Sequence, residues 1–309
     1  MGKYVTAAEA VQVVKSGDRV YVQAAAATPT ILTKALAERA SELRNVEVCH
    51  LHTEGDAPYA NPELAESFHV NSFFIGANVR HTLKAGNGSY TPVFLSELPL
   101  LFRKNVVKLD VAFIHVSPPD SHGYCSLGVS VEASVAAIEN AKIVIAQVNP
   151  QMPRTFGDGI LHVSEIDYLV EVNVPIFAHD VTPFTTEEEK IGTYVASLIE
   201  NKSTLQMGIG SIPNAALSKL TNHKDLGLHT EMFSDGVIDL IENDVINCNY
   251  KGTLRGRALA TFLMGSKRLY DFVDDNPFIE MKESSMVNDT ARIRRNPRMV
   301  AINSAIEVD

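Results

Sequence analysis

The sequence is short of cysteine, of positive charge and of long apolar runs, and each shortage removes a class of protein. Cys49, Cys125 and Cys248 lie far apart and form no CxxC pair, which sets aside a disulfide framework and a structural zinc site. Lysine and arginine number 27 against 37 aspartates and glutamates, a formal net charge of −10. Affinity for a phosphate backbone comes mostly from lysine and arginine, so general nucleic-acid binding is excluded and an anionic ligand needs a local positive site. No apolar stretch reaches membrane-spanning length, and Met1-Gly2-Lys3-Tyr4-Val5-Thr6 runs into an amphipathic pattern without an apolar signal core. A cytoplasmic protein with reduced thiols is expected. A GxxxxGK[ST] loop and a GxSxG elbow are also missing, which takes support from P-loop nucleotide hydrolysis and from α/β-hydrolase chemistry.

What is present is an alternation of strand and helix patterns along 309 residues, 45% of them hydrophobic, a length that fits two domains. Arg19 to Gln23, Val46 to Leu51, Leu109 to Val116 and Lys142 to Val148 read as strands, and Pro29 to Ser41 and Val131 to Ala141 as helices. The chain turns polar between Thr182 and Glu189, with Pro183 and the acidic run Glu187-Glu188-Glu189. That segment predicts a boundary dividing residues 1–185 from 186–309. Beyond it come helices over Glu188 to Glu200, Asn214 to Leu220 and Lys267 to Val273. Strands are expected over Thr204 to Met207, Ala258 to Met264, Phe278 to Met281 and Met299 to Ile306. Such alternation implies an α/β fold with parallel or mixed sheets flanked by helices.

Candidate chemistry gathers around Gly227-Leu228-His229-Thr230-Glu231-Met232-Phe233-Ser234-Asp235-Gly236. Leu226 to Thr230 reads as a short buried strand, and Ser234 or Asp235 as the cap of a helix carrying Val237, Ile238, Leu240 and Ile241. Glu231 falls in the strand-to-helix turn, where open α/β sheets bind ligands. One βα unit upstream, Gly208-Ile209-Gly210-Ser211-Ile212-Pro213 opens like a dinucleotide fingerprint, but proline stands at the third glycine position and no ribose-binding acid completes the unit. Its two glycines at a helix N-terminus still suit an anionic or carbonyl ligand. His50 and His52 share a strand face, a pattern compatible with metal ligands or with satisfied core histidines; no carboxylate-rich or thiolate partner is nearby, so no metal is expected. Cys125 with His122 is a weak nucleophile and base pair, being three apart in a loop. Arg292, Arg294, Arg295 and Arg298 meet either ligand phosphates or a salt-bridged surface.

Taken together, several runs resemble the acetyl-CoA hydrolase/transferase family along nearly the whole chain. They are Val116-Ser117-Pro118-Pro119-Asp120, Gly123 to Ser130, His162-Val163-Ser164-Glu165-Ile166-Asp167, Gly208 to Pro213, His229-Thr230-Glu231-Met232 with Ser234-Asp235-Gly236, and Phe262-Leu263-Met264-Gly265 with Arg268 to Phe272. The resemblance implies a CoA-transferase fold of two domains and a transferase acting between an acyl-CoA and a short-chain carboxylate such as acetate, butyrate or 4-hydroxybutyrate. Glu231 takes the position of the family's glutamate nucleophile, Gly208, Ile209, Gly210, Ser211 and Ile212 that of its CoA loop, and Ile306 that of a further CoA contact. CoA then serves as substrate, with no permanently bound cofactor, and a homodimer or larger assembly is implied. An acyl-CoA hydrolase on the same scaffold and an inactive CoA-binding remnant are the alternatives. Family members continue past the equivalent of Val308-Asp309 into a second glycine-rich motif of the type GxGGQ; this sequence stops there and has no Gly-Gly pair, so a truncated second domain is expected.

Overall fold

A computed structural model describes residues 2–179, 182–208 and 210–303. Its largest element is an eight-stranded sheet in the order Lys3–Tyr4, Tyr168–Glu171, Ile143–Val148, Val111–Val116, Arg19–Val22, Val46–His50, Phe68–Ser72, Gly88–Tyr90, and every neighbouring pair is parallel. The reason lies in the composition of the middle strands. Val111-Ala112-Phe113-Ile114-His115-Val116 is buried at all six positions, the continuous apolar run of a strand covered on both faces, where crossover helices must lie. One such helix, Thr30–Glu38, follows the strand Arg19–Val22 and buries Leu32, Ala35 and Leu36.

The second half is built from smaller parallel ladders. Thr204–Met207 lies between Gly227–Leu228 and Met299–Ile302, Met232–Phe233 pairs with Phe262–Leu263, and Ile279–Met281 lies between Ala258–Ala260 and Phe156–Gly157. Thus Phe156–Gly157, on the N-terminal side of the expected boundary, adds an edge to a ladder of the other half. Gly157 is required there: its φ is +119° and a Cβ would stand 2.0 Å from the Met281 carbonyl. The helix Thr186–Ser197 opens with a capping box between Thr185 and Glu188. One hydrophobic core joins both halves, running from Ile114, Val116 and Ala146 to Leu205, Leu228 and Ile279.

Two expected elements differ. The single strand expected over Ala258 to Met264 is two, Ala258–Ala260 and Phe262–Leu263, in different ladders. The switch falls at Thr261, where the N–H groups of Thr261 and Phe262 both donate to the Glu231 carbonyl, at 2.9 and 3.2 Å; two donors on one acceptor break the even spacing of a parallel ladder. The last strand is described as Met299–Ile302. Among the described residues no helix is long and apolar enough to cross a membrane.

Candidate active site

Glu231 lies in a turn, but between two short strands, Gly227–Leu228 and Met232–Phe233, where a turn leading straight from strand to helix is expected; the turn Asp235–Val237 and helix Ile238–Glu242 follow only after the second strand. The residues before Glu231 act as anchors. His229 is buried, its Nε2 2.7 Å from the Val287 carbonyl and its Nδ1 2.8 Å from Asn296 Nδ2. A carbonyl only accepts, so Nε2 carries the proton and the ring is neutral; burial also lowers its tendency to charge. Thr230 Oγ1 accepts from the Met207 N–H at 2.9 Å and lies 2.8 Å from the Met232 carbonyl. One hydroxyl therefore ties the turn of Glu231 to the strand end from which the Gly208 loop departs.

The carboxylate of Glu231 is half-buried, and its Oε2 accepts from Asn288 Nδ2 at 2.7 Å. A single amide donor fixes one oxygen and leaves the other to act. Asn288 closes the short helix Ser284–Val287, and nothing in its local sequence announces it. Sequence reading also missed Glu132, which lies in a stretch taken as the start of a helix; the helix begins only at Ser134. Its carboxyl is fully buried and is pushed up to about 7 by burial, with the charge of Glu231 adding to the effect. The available signal was a lone carboxylate between Val131 and Ala133 in an apolar segment.

Gly208, Gly210 and Ser211 line a cavity of about 450 Å³ together with Met232, Asp235 and Met264. The helix Ser211–Ser218 starts from Gly210, whose φ of +121° suits glycine alone, and Ser211 and Asn214 in its first turn line the cavity. Ser211 Oγ donates to Glu188. Asp235 is held by the N–H and hydroxyl of Ser266. Ile212 is half-buried in the helix and does not line the cavity; Glu231 stands one residue before Met232, which does. Ile209 and Ile306 lie outside the described residues.

The remaining candidates separate. His50 is fully buried and Cys125 is buried while His122 is exposed, so the last two form no reactive pair. No group of three or more metal-ligating side chains occurs among the described residues. Arg292 faces Asp289 and Arg298 faces Glu200, the salt-bridged alternative for those two arginines. His52 lies between the rings of Phe74 and Phe262, with Nε2 3.5 Å from Met264 Sδ, and burial lowers it to about 4. Ala25, Met232 and Phe262 form one apolar cluster with Met264 packed against it. The result is an apolar cluster that contains Met232, the residue after Glu231, and a half-buried carboxylate with one orienting donor, an arrangement capable of nucleophilic acyl chemistry.

The geometry defines a parallel α/β protein with a carboxylate near a glycine-lined cavity, and comparison with known proteins shows its family. The family model for the acetyl-CoA hydrolase/transferase N-terminal domain matches residues 1–178, and the C-terminal domain of the same family matches 265–309. The chain belongs to the acetyl-CoA hydrolase/transferase family, a family of enzymes. It is 45% identical to a succinyl-CoA:acetate/propanoyl-CoA:succinate CoA transferase of Fasciola hepatica over 96% of this chain and 62% of that protein. It is 44% identical to a 4-hydroxybutyrate coenzyme A transferase of Clostridium kluyveri over 99% of this chain and 72% of that one. A crystal structure of a 4-hydroxybutyrate CoA-transferase from Porphyromonas gingivalis is 39% identical and superposes with a TM-score of 0.87, covering 99% of this chain and 74% of the other. An acetyl-CoA hydrolase of Yarrowia lipolytica is more distant, 25% identical over 252 residues. The chain thus spans 62 to 72% of the length of the first two relatives. The expectation of a missing C-terminal part finds no support in these matches, because the C-terminal family domain is represented.

Proposed function

We propose that the chain is a CoA-transferase that moves CoA between an acyl-CoA and a short-chain carboxylate through Glu231. The observation that carries the reading is the Glu231 carboxylate, held at one oxygen by Asn288 and tied through Thr230 to the glycine loop that borders the cavity. The free oxygen attacks the thioester carbonyl, the C–S bond breaks, and CoA leaves as the thiolate from a mixed anhydride. The thiolate then attacks the Glu231 carbonyl carbon, giving a glutamyl-CoA thioester and releasing the acyl group as a carboxylate that carries one former glutamate oxygen. An incoming carboxylate reverses both steps, so no proton is gained or lost overall. Gly208, Gly210, Ser211 and Ile212, with Ile209, are the proposed CoA contacts; Ile306 is a further one.

The test is the mass of the peptide containing Glu231 after incubation with acetyl-CoA. A CoA adduct is expected in the wild type and absent in Glu231→Gln; exchange activity retained by Glu231→Gln would sink the assignment. Relatives named as transferases are more similar than those named hydrolases, which favours transfer, and CoA release measured with and without acetate separates the two.

A further inference from the structure

Behind the reacting carboxylate stands a second one that the proposed chemistry does not use. Glu132 is 0% exposed, its Oε2 lies 2.6 Å from Ser130 Oγ, and its Oε1 is buried without a hydrogen-bond partner among the described residues. Thr261 Oγ1 is buried and likewise unpartnered. The two are joined to Glu231 by backbone: Val131 N–H donates to the Thr261 carbonyl at 2.9 Å, and Thr261 N–H donates to the Glu231 carbonyl at 2.9 Å. A second path runs through the Glu132 carbonyl, which accepts from Ser284 N–H at 3.0 Å and Ser284 Oγ at 2.8 Å. Ser284 begins the short helix whose end carries Asn288, the residue that holds Glu231. Glu132 is thus coupled to both the backbone and the side-chain support of the nucleophile.

We infer that Glu132 is a positioning residue for Glu231, a neutral carboxyl whose proton keeps the negative charge of the site on the nucleophile alone. A buried carboxylate with a hydroxyl as its side-chain partner is costly to ionise, and a second anion close by makes it more so. Burial and the charge of Glu231 both act in that direction on Glu132. The other titratable groups around it do not supply a counter-charge. Tyr21 is buried with its hydroxyl 3.0 Å from Ser134 Oγ and is held neutral, while Arg103 is engaged by Glu283 at 2.6 and 2.8 Å. Loss of the Glu132 proton places a second charge behind Glu231, which opposes approach of a carboxylate or a thiolate and strains the segment that carries Asn288.

The inference rests on the transferase reading, and the experiment keeps the two apart. CoA attachment to the Glu231 peptide is measured first at pH 6, and its absence overturns the transferase reading itself. With attachment established, exchange between acetyl-CoA and a labelled carboxylate is followed from pH 5.5 to 9 in wild type, Glu132→Gln and Ser130→Ala. The wild-type kcat/KM is expected to fall roughly tenfold per pH unit once Glu132 ionises. Glu132→Gln is expected to lower the rate several-fold at pH 6 and to abolish that alkaline fall, which a merely structural role leaves in place. Ser130→Ala removes the hydroxyl that favours the ionised form, so the fall moves to higher pH. A wild-type profile that is flat above pH 6, or a fall that persists unchanged in a folded Glu132→Gln, overturns the inference.

Discussion

Replacing Asn288 by alanine removes the donor on Glu231 Oε2 and tests the mechanism at its central contact. The oxygen held at 2.7 Å is the one left as the carbonyl when the other attacks. Negative charge develops on it when the CoA thiolate adds to the glutamyl carbon, so the amide donates to an oxyanion at that step and the interaction strengthens in the transition state. A hydrogen bond to a charged group is worth about 1.5 to 3 kcal/mol net, and the half-exposure of Glu231 puts this one near the lower end. The expected loss is then roughly tenfold to fiftyfold in kcat, with a smaller change in KM for the acyl-CoA. Asn288→Asp puts a like charge against the carboxylate and is expected to lose more. The backbone N–H of Asn288 still reaches the Ser284 carbonyl at 2.9 Å in both variants, so the helix end persists and a melting curve separates unfolding from lost catalysis. Stopped-flow exchange with purified protein is the assay; a folded Asn288→Ala with kcat within about twofold of wild type would refute the role.

Burial lowers His50, His52 and His115 from the ordinary 6.5 to about 4, so the unfolded chain binds their protons first as pH falls and stability present above 6.5 is lost toward 4. Glu132 acts oppositely, holding a proton between its ordinary 4.5 and about 7, and burial moves Glu54 in the same direction while it lowers His229 with the other histidines; the lowered histidines outweigh the raised carboxyls, so the unfolding free energy from urea titrations is expected to fall by roughly several kcal/mol between pH 6.5 and 4.5, and a flat profile contradicts this. In Gly208→Ala the new Cβ meets the Ile302 carbonyl at 2.9 Å and Asn303 Oδ1 at 2.7 Å; the loop must shift, and CoA affinity by calorimetry is expected to weaken at least about tenfold. Met264→Ala opens the wall that packs against Ala25, Met232 and Phe262, and CoA release without an acceptor carboxylate is expected to rise relative to exchange as water gains access.

The fold was legible where one physical signal dominated. Val111 to Val116 and Thr204 to Met207 are β-branched or apolar runs between turn residues, and Lys267–Val273 follows a capping serine; these elements match their patterns almost to the residue. The strand break at Thr261 was not legible, because it is imposed by the Glu231 carbonyl taking two donors, a contact thirty positions away in sequence. Glu231 was expected in a strand-to-helix turn, and the short strand Met232–Phe233 follows it instead. Asn288 and Glu132 were not legible. Both reach Glu231 only through tertiary structure, and a periodic reading assigns Glu132 to a helix that starts two residues later. Ser234 or Asp235 was expected to cap the following helix; the Ser234 hydroxyl donates instead to Asn214 Oδ1 at 2.8 Å, bracing the Glu231 turn against the helix of the glycine loop.

Packing and hydrogen bonds cross the boundary expected near residue 185. Residues on its N-terminal side brace the surroundings of the Glu231 turn: Val129 accepts from Leu263 N–H at 2.8 Å, Val131 donates to Thr261, Glu132 receives Ser284, and Asp158 binds Lys282 Nζ at 2.8 Å and Glu283 N–H at 3.1 Å. Ala25, in the left-handed region at φ 53°, packs on Met232 and Phe262 from the C-terminal end of the central sheet. Each of these contacts lies within a few residues of Glu231, Asn288 or the apolar wall, and one hydrophobic core runs through both halves. A nucleophile that must be oriented and shielded from water at once needs walls from more than one layer. The loops at the carboxyl ends of the first sheet supply one wall and the short ladders of the second half supply the other, so the geometry of Glu231 is a property of the joined halves and belongs to neither alone.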